Sequence, residues 1–348
     1  MTPPLPQRQL GPFSVSAIGL GCMNLSHGYG PPVPDQQSRA VIAKALAMGV
    51  TLFDTAMLYG NGHNEQVVGR ALKADRQQIT LCTKGGMAAN TEPGKPPRRI
   101  DSRPEVIRAN CLESLVRLNT DVIDLYYLHR WDKTTPLEDV IGAMADLVRE
   151  GKVRTIGLSE VSAETLEKAH QIHPITAVQS EYSLWTRNPE IALSKACQRL
   201  GVTLVAFSPL GRGFLSARFQ DAESLKRLHE TDMRHKNPRF QGDALTQNLG
   251  LLGPMIDIAQ QAGCTPSQLA LAWCLAQGSH VIPIPGTTDL VHLEEDVEAA
   301  TLAIDPKWIA AVGRLIHQDS VVGHRYDAPG QASVDTEVFT ASPGRQTI

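Results

Sequence analysis

The stretch that most clearly indicates the fold is residues 122–158, which read VIDLYYLHRWDKTTPLEDVIGAMADLVREGKVRTIGL. It opens at 122–128 and closes at 152–158 with runs of β-branched and apolar residues, which are typical of strands. Between them, residues 135–150 have the apolar spacing of an amphipathic helix, and Gly151 suits the helix end. A strand, a helix and a strand in this order form the unit of a parallel sheet covered by helices.

The same alternation extends over most of the chain. Strands are predicted at residues 50–55, 78–83, 122–128, 152–158, 177–180, 202–207 and 280–284, and helices at 36–48, 65–73, 103–118, 135–150, 162–171, 188–200, 265–277 and 290–300. Seven strands and eight helices are located in this way, and we interpret the pattern as eight strand–helix units, the number that closes a (β/α)8 TIM barrel. The alternative, an open doubly wound sheet, usually carries G-x-G-x-x-G after its first strand, and neither Gly19-Leu20-Gly21 nor Gly211-Arg212-Gly213 continues to a third glycine at that spacing.

Three segments depart from a bare barrel. Residues 8–20 resemble a β-hairpin that turns at Gly11-Pro12 and plugs the bottom of the barrel. Residues 212–245 form a long insertion after strand 7, and long loops in compact domains are usually functional lids. Residues 318–348 lack periodicity and are expected to form a C-terminal surface tail, which leaves residues 1–317 as one barrel domain that includes the insertion.

Composition limits the kinds of partner. The 348 residues are 42% hydrophobic and 20% charged with a net charge of −3, so no basic surplus exists to neutralise nucleic-acid phosphates. We therefore expect no nucleic acid and no membrane partner. The first 15 residues lack signal-peptide features, and no apolar run reaches the roughly 18 residues of a membrane span, so a cytoplasmic location is predicted. The six cysteines have no CxxC spacing and are interpreted as buried thiols.

Four polar residues follow predicted strand ends, where the active groups of α/β barrels lie. They are Asp54, Tyr59, Lys84 and His129. A tyrosine hydroxyl with a pKa near ~10 is a weak acid at neutral pH, and a nearby lysine ammonium lowers that pKa. The aspartate would keep the lysine charged and the histidine would orient a carbonyl, so the four together predict a general acid for carbonyl reduction. Hydride must then come from a cofactor. Each residue alone is more often structural; their joint occurrence carries the interpretation.

Two segments could hold the phosphates of such a cofactor. Ser208, Pro209, Leu210, Gly211 and Gly213 directly follow a strand, and the glycines allow backbone amides to approach an anion. Residues 283–288, with Gly286, Thr287 and Thr288, follow the last strand and lead into a helix, whose N-terminus suits a phosphate. Either segment alone could be an ordinary turn.

Hydrolase chemistry is disfavoured. A metal hydrolase needs closely spaced histidines, whereas His170 and His173 lie on a predicted helix away from a strand end, so no metal site is predicted. The serine nucleophile motif G-x-S-x-G is also absent, because residues 157–161 lack the second glycine.

Over residues 8–315 the chain resembles the aldo-keto reductase superfamily. The resemblance rests on residues 53–56 with Tyr59-Gly60, on Thr83-Lys84, on 124–129, on 150–159 and on 206–213. It is nearest to bacterial general reductases and pyridoxal-reductase-like members, and more distant to the potassium-channel β-subunit branch.

The resemblance implies roles at individual positions. Tyr59 would be the proton donor, Lys84 and Asp54 its partners, and His129 the residue that orients the carbonyl. Ser159 and Gln179 would hold the nicotinamide carboxamide, and Phe207 would stack on the nicotinamide ring. Ser208, Leu210 and Gly213 would form the pyrophosphate loop, and the adenosine-phosphate and adenine site would comprise Thr287, Thr288, His292, Glu295 and Asp296.

Two departures bear on the cofactor. Many members carry asparagine where this chain has Glu160, and many that prefer NADPH carry arginine or lysine near Thr288, Asp289 and His292. His292 could be cationic, and the insertion offers further basic residues: Arg212, Arg234, His235, Lys236 and Arg239. We expect NADPH, with NADH possible.

The predicted function is NAD(P)H-dependent, reversible reduction of aldehydes or ketones. The alternative is a regulatory protein that retains the cofactor as a redox sensor and turns over very slowly. Residues expected to line the substrate pocket are Met23, Met57, Leu58, Arg130, Trp131 and the insertion, a mixture that suits an aromatic or multi-oxygenated carbonyl. The choice between monomer and homo-oligomer stays open.

Overall fold

A closed barrel of eight parallel strands forms the centre of the molecule. The structure is a computed structural model that describes residues 4–90 and 98–339. The strands form one sheet, ordered β12-β11-β10-β9-β8-β5-β4-β3. The sheet closes where the amides of Gly19 and Gly21 donate to the carbonyls of Pro283 (3.0 Å) and Pro285 (2.9 Å). The predicted (β/α)8 barrel is therefore confirmed.

The elements run along the chain as follows. The strands are β1 Gln7–Leu10, β2 Phe13–Ser16, β3 Leu20–Gly21, β4 Leu52–Asp54, β5 Thr80–Gly85, β6 Met87–Ala89, β7 Arg98–Ile100, β8 Ile123–Leu128, β9 Val153–Ser159, β10 Ala177–Glu181, β11 Thr203–Phe207 and β12 Val281–Pro283. The helices are α1 Asp35–Ala47, α2 His63–Leu72, α3 Pro104–Leu118, α4 Leu137–Arg149, α5 Ala163–Ile172, α6 Leu193–Leu200, α7 Ala222–Lys226, α8 Gly242–Leu249, α9 Leu252–Ala262, α10 Pro266–Ala276, α11 Leu290–Glu298, α12 Pro306–Leu315 and α13 Ala328–Ala332.

The first barrel strand, β3, lies at the end of the segment that the sequence assigned to the plug. Seven barrel strands were located by their residues, whereas β3 has only two and carries no alternation that could reveal it. Its Gly21 is required by close approach, since a Cβ there would lie 2.8 Å from the carbonyl oxygen of Ile284. The strand is short because it mainly closes the ring.

The hairpin of β1 and β2 plugs the amino end of the barrel, as predicted. Leu10 and Val15 are fully buried and pack against interior residues of the barrel strands. Ser16 and Thr51 exchange hydrogen bonds between side chain and amide, and the Thr203 hydroxyl donates to the carbonyl of Gln9. Thr51 and Thr203 stand where β4 and β11 begin, so the carboxyl ends of the strands lie away from the plug.

The insertion at 212–245 folds into short helical segments. The amide of Met233 donates to the carbonyl of Gly28 (2.8 Å), and the Arg234 guanidinium lies 4.9 Å from the centre of the Tyr29 ring. Gly28 and Tyr29 belong to the loop after β3. The insertion therefore bridges from the end of β11 to the loop that follows β3.

Residues 318–339, the described part of the predicted tail, do not form a free surface tail; residues 340–348 lie outside the described residues. Val321, Arg325 and Val334 are buried, and the amide of Asp335 donates to the carbonyl of Glu160. Residues 321–337 therefore pack against the carboxyl end of the barrel. Sequence periodicity could not reveal this, because the contacts are made by single side chains and backbone groups rather than by an amphipathic face.

The cysteines and helices agree with an ordinary globular interior. All six cysteines are free thiols, and five of them are buried, as predicted. Among the helices of the described ranges, none has the length and apolar character that crossing a membrane requires.

Candidate active site

The strand ends bring Asp54, Tyr59 and Lys84 together. Asp54 ends β4, and Lys84 stands one residue before the end of β5, which pairs with β4 in parallel. The Lys84 ammonium donates to the carboxylate of Asp54, to the carbonyl of Thr55 (2.8 Å) and to the hydroxyl of Tyr59 (3.4 Å). All three side chains are buried. The predicted contact between lysine, aspartate and tyrosine is present.

A tight turn follows Tyr59. Gly60, Asn61 and Gly62 all have positive φ angles, of 57°, 53° and 87°. Glycine tolerates this left-handed conformation and asparagine adopts it more readily than most residues. The turn leads directly into α2 and places Tyr59 against Lys84.

His129 completes the cluster. It follows β8, and its amide donates to the carbonyl of Gly85. Its ring meets the Tyr59 ring edge-on, with centroids 5.9 Å apart and planes at 87°. Burial and then the positive charge of Arg130 hold the pKa of His129 well below its usual value. The imidazole is therefore neutral at physiological pH.

The pKa of Tyr59 moves opposite to the sequence-based expectation. Burial raises it above its ordinary value, and the nearby Lys84 charge lowers it by less. Burial alone would lower the pKa of Lys84, but Asp54 and Tyr59 together raise the pKa above its ordinary value and keep the lysine charged. Tyr59 is therefore protonated at neutral pH beside a fixed positive charge. That is the form that can donate a proton.

The two residues expected at the nicotinamide carboxamide lie beside this cluster. The Gln179 amide donates to Asp54 (2.8 Å), and the Ser159 hydroxyl accepts from Arg130 (3.0 Å). Glu160, which stands where related chains carry asparagine, forms its hydrogen bonds with other groups. Its carboxylate accepts from Arg325 (2.9 Å) and from the amide of Glu181 (2.8 Å).

The segment after β11 has the backbone of an anion cradle. Phe207 ends the strand, half-exposed, and Ser208, Gly211, Arg212 and Gly213 all have positive φ angles. Left-handed residues in such a run turn successive amides toward one concavity. After β12, a Cβ on Gly286 would lie 2.5 Å from the carbonyl of Gly21, so the chain passes too closely there for any side chain.

The helix N-terminus after β12 differs from expectation. The Asp289 carboxylate accepts the amides of Val291 (2.8 Å) and His292 (3.0 Å), and Thr287 bonds the amide of Asp289. These two amides of α11 are thus already capped by a negative charge. Burial, and then the charge of Arg218, lower the pKa of His292, so a cationic His292 is not supported.

Most basic residues of the insertion are engaged elsewhere. Arg212 pairs with Glu181 and Arg234 with Asp232, while Arg239 donates to backbone carbonyls of Trp185 and Gly323. His235 bonds the carbonyl of His229, also within the insertion. Sequence analysis missed Arg218, which pairs with Glu295 (2.7 Å) beside buried Asp296. Nothing in the sequence distinguishes it from its basic neighbours.

The expected pocket residues divide into two groups. Met23 packs with Leu58 and Tyr59, and the amide of Met57 donates to the Lys84 carbonyl. The Trp131 indole donates to the carbonyl of Thr135 and packs against the main core rather than this cluster.

Sequence analysis missed three further residues beside Tyr59. The ring of His27 stacks on Tyr59 at 5.8 Å, and Met87 and Ile100 of the β6–β7 hairpin pack in the same cluster. These contacts come from loops and could not be derived from strand ends alone. In the described part of the chain, histidine, cysteine and carboxylate side chains nowhere gather as a metal-binding group.

Comparison with known proteins settles which family has this arrangement. The profile of the Aldo/keto reductase family matches residues 17–317. The "probable aldo-keto reductase 1" of Glycine max is 41% identical over 315 residues, which cover 90% of this chain and 89% of that relative. The chain belongs to the aldo/keto reductase family.

Solved structures agree. A glycerol dehydrogenase of Gluconobacter oxydans superposes with a TM-score of 0.81 at 26% identity, over 92% of this chain and 99% of the other. The holo form of an aldo-keto reductase of Bacillus halodurans gives 0.73 at 28%, over 93% and 100%. Membership makes this aldo/keto reductase an oxidoreductase for small-molecule carbonyl compounds, in a family that uses nicotinamide cofactors.

Proposed function

We propose that this aldo/keto reductase reduces aldehydes or ketones to alcohols with NADPH and that Tyr59 donates the proton. The observation that carries the proposal is the buried Lys84–Asp54 pair, with the lysine nitrogen 3.4 Å from the Tyr59 hydroxyl and neutral His129 beside it. Such a cluster contributes little to the stability of the fold, because burying ionised groups costs free energy. A role in proton transfer to a substrate explains why these charges are buried despite that cost.

The side chains have distinct tasks in this mechanism. A bound nicotinamide supplies the hydride that adds to the carbonyl carbon. The Tyr59 hydroxyl gives its proton to the carbonyl oxygen, and the charge of Lys84 stabilises the phenolate that remains. Neutral His129 can donate a hydrogen bond that orients the carbonyl. In the reverse direction the phenolate accepts the proton of an alcohol.

The residues present fit a nicotinamide dinucleotide. The left-handed run at 208–213 provides an anion cradle, and Phe207 offers a ring at its start. Ser208, Pro209, Leu210, Gly211 and Gly213 would hold the pyrophosphate, and Ser159 and Gln179 the carboxamide. Gly286, Thr287, Thr288, His292, Glu295 and Asp296 would hold the adenosine end. A cytoplasmic location stays a prediction.

Replacing Tyr59 by phenylalanine tests the proton donor. We expect kcat/KM for a panel of aldehydes, followed by NADPH absorbance at 340 nm, to fall by about 10²-fold or more, because general acids contribute that much. Tyr126→Phe is the matched control, since its buried hydroxyl donates to the carbonyl of Ile107, away from the proposed reaction. Equal rates for Tyr59→Phe and the natural protein would refute the role. Tight cofactor binding without turnover of any carbonyl would favour a redox sensor instead.

Arg218 supports the preference for NADPH. It is the basic side chain beside Glu295, and its charge acts on Asp289 and His292. We expect Arg218→Ala to lower the NADPH-to-NADH ratio of kcat/KM by about tenfold, the loss of one charged hydrogen bond to a 2′-phosphate. Arg227→Ala, another exposed arginine of the insertion, should leave the ratio unchanged. A ratio that both variants preserve would show that Arg218 does not read the phosphate.

A further inference from the structure

Arg130 is a buried cation at the catalytic end of the barrel. It directly follows His129 and is 8% exposed. One terminal nitrogen donates to the carbonyl of His129 (2.6 Å) and to the hydroxyl of Ser159 (3.0 Å). Its Nε atom is buried and has no hydrogen-bond partner among residues 4–90 and 98–339. The guanidinium is thus held in place but not fully bonded.

Arg130 combines the lack of a carboxylate partner with an unbonded Nε atom, which distinguishes it from the neighbouring arginines in the described ranges. Three arginines at this end are neutralised: Arg212 by Glu181, Arg234 by Asp232, and Arg325 by Glu160. Buried Arg239 has no carboxylate partner in the described ranges either, but it donates to the carbonyls of Trp185 and Gly323 and to the hydroxyl of Thr186. No ion pair within the described ranges includes Arg130. A buried charge without a counter-charge is costly, so its retention calls for an anion that binds from outside.

A second unpaired cation acts on the same site. Arg98 begins β7 and is exposed, and in the described part of the chain no carboxylate pairs with it. Its hairpin supplies Met87 and Ile100 to the cluster around Tyr59. Burial, and then the charge of Arg98, lower the pKa of His27 to about 4, which places this charge near the ring stacked on Tyr59.

The barrel order separates these charges from the segments proposed for the cofactor phosphates. Arg130 follows β8, whose neighbours are β5 and β9, the strands that carry Lys84 and Ser159. The phosphate segments follow β11 and β12, which stand three and four positions further along the sheet. An anion beside Arg130 would therefore belong to the molecule whose carbonyl faces Tyr59.

We propose that the substrate is a carbonyl compound that also bears a carboxylate, which binds between Arg130 and Arg98. The inference rests on the proposed reductase function and specifies its substrate class. A guanidinium binds a carboxylate through two parallel hydrogen bonds, and Arg130 Nε has no hydrogen-bond partner among residues 4–90 and 98–339. Arg98, at the surface, would attract the anion and close the far side of the site.

A pair of aldehydes that differ only in charge tests the proposal. The probes are 3-carboxybenzaldehyde and 3-formylbenzamide, which have nearly the same shape. We expect kcat/KM of the natural protein to favour the acid by at least tenfold. Arg130→Met and Arg98→Met should each reduce that preference at least fivefold, while Arg99→Met, the neighbouring exposed position of β7, should preserve it. Because preference is a ratio, a general loss of rate in Arg130→Met cancels.

Equilibrium binding separates this proposal from the reductase function itself. Calorimetry with 3-(hydroxymethyl)benzoate and its amide should show tighter binding of the acid to the cofactor-loaded protein, and Arg98→Met, an exposed change, should weaken it. Equal turnover and equal binding of acid and amide would overturn the proposal while leaving the reductase function intact. Preferential binding of the acid without turnover of either aldehyde would uphold the anion site and reject the reductase function.

Discussion

At the scale of single residues, burial and charge act against each other at Tyr59. Burial raises the pKa of its hydroxyl, and the Lys84 ammonium opposes that rise without reversing it. A charge 3.4 Å away in a buried site would otherwise favour the phenolate strongly. The outcome is an acid that stays protonated across the neutral range, beside a lysine charge that stabilises the phenolate once the proton has been given up.

This balance predicts the pH dependence of reduction. Reduction needs protonated Tyr59, whose pKa lies above ~10, and neutral His129, whose pKa lies well below ~6.5. We expect kcat/KM to stay level from about pH 6.5 to 9 and to fall only at higher pH. Lys84→Met removes the charge that lowers the Tyr59 pKa, so its alkaline limb should move upward while its rate falls.

The pH profile of kcat/KM measures both effects. Lys73→Met, an exposed change just after α2, is the control and should keep the natural profile. An alkaline limb near neutral pH in the natural protein would contradict the direction of the Tyr59 pKa.

Single residues also show which parts of the site could be predicted from the sequence. Asp54, Tyr59, Lys84 and His129 could be named because parallel strands place their carboxyl ends together. The direction of the Tyr59 pKa could not, since desolvation depends on everything packed above the site. Arg218 and His27 were missed for a similar reason: both stand in loops, where residue type and spacing do not specify which neighbour they meet.

At the scale of elements, glycines within helices indicate how closely the helices around the barrel pack against each other. Gly69 of α2 faces the end of α3, and a Cβ there would lie 2.4 Å from the carbonyl oxygen of Leu118. Gly142 of α4 faces open space, with no atom within 4 Å of a Cβ. Both interrupt helices in which alanine would ordinarily be preferred.

Opposite effects of the same substitution are therefore expected. Gly142→Ala should stabilise the protein by about 0.5–1 kcal/mol, the gain in helix propensity. Gly69→Ala should destabilise it by about 1–3 kcal/mol, because the added methyl group overpacks against backbone. Urea denaturation midpoints measure both, and changes of the same sign would contradict the packing of α2 on α3.

The elements themselves were mostly predictable, with exceptions that have physical causes. Ser162 and Thr265 are residue types that favour helix N-termini, and their hydroxyls accept amides of the first turns of α5 and α10. The predicted helix at 188–200 instead begins as a short turn at Asn188–Glu190, and α6 starts only at Leu193. The two-residue strand β3 could not be predicted, because it closes the barrel through glycine contacts and does not bury an apolar face.

At the scale of the whole molecule, residues 321–337 place a positive charge beside two buried carboxylates of the barrel. Glu160 and Glu181 stand at the ends of β9 and β10 and are buried. Arg325 approaches both, at 2.9 Å from Glu160 and 3.7 Å from Glu181, and its own side chain is 3% exposed. The segment that sequence analysis expected to be a surface tail therefore neutralises carboxylates beside the proposed nicotinamide site.

Arg325→Met tests this dependence of the barrel on its last segment. Breaking a buried ion pair by removing one partner typically costs about 3–5 kcal/mol, because the other charge is left uncompensated. We expect a loss of that size in the free energy of unfolding, measured by urea denaturation. Arg314→Met on the exposed face of α12 is the control and should change little. Adding Glu160→Gln to Arg325→Met removes the stranded carboxylate, so the double variant should be less destabilised than the sum of the two single variants. Strictly additive losses would mean that Arg325 stabilises the segment through packing, and that the barrel does not need its charge.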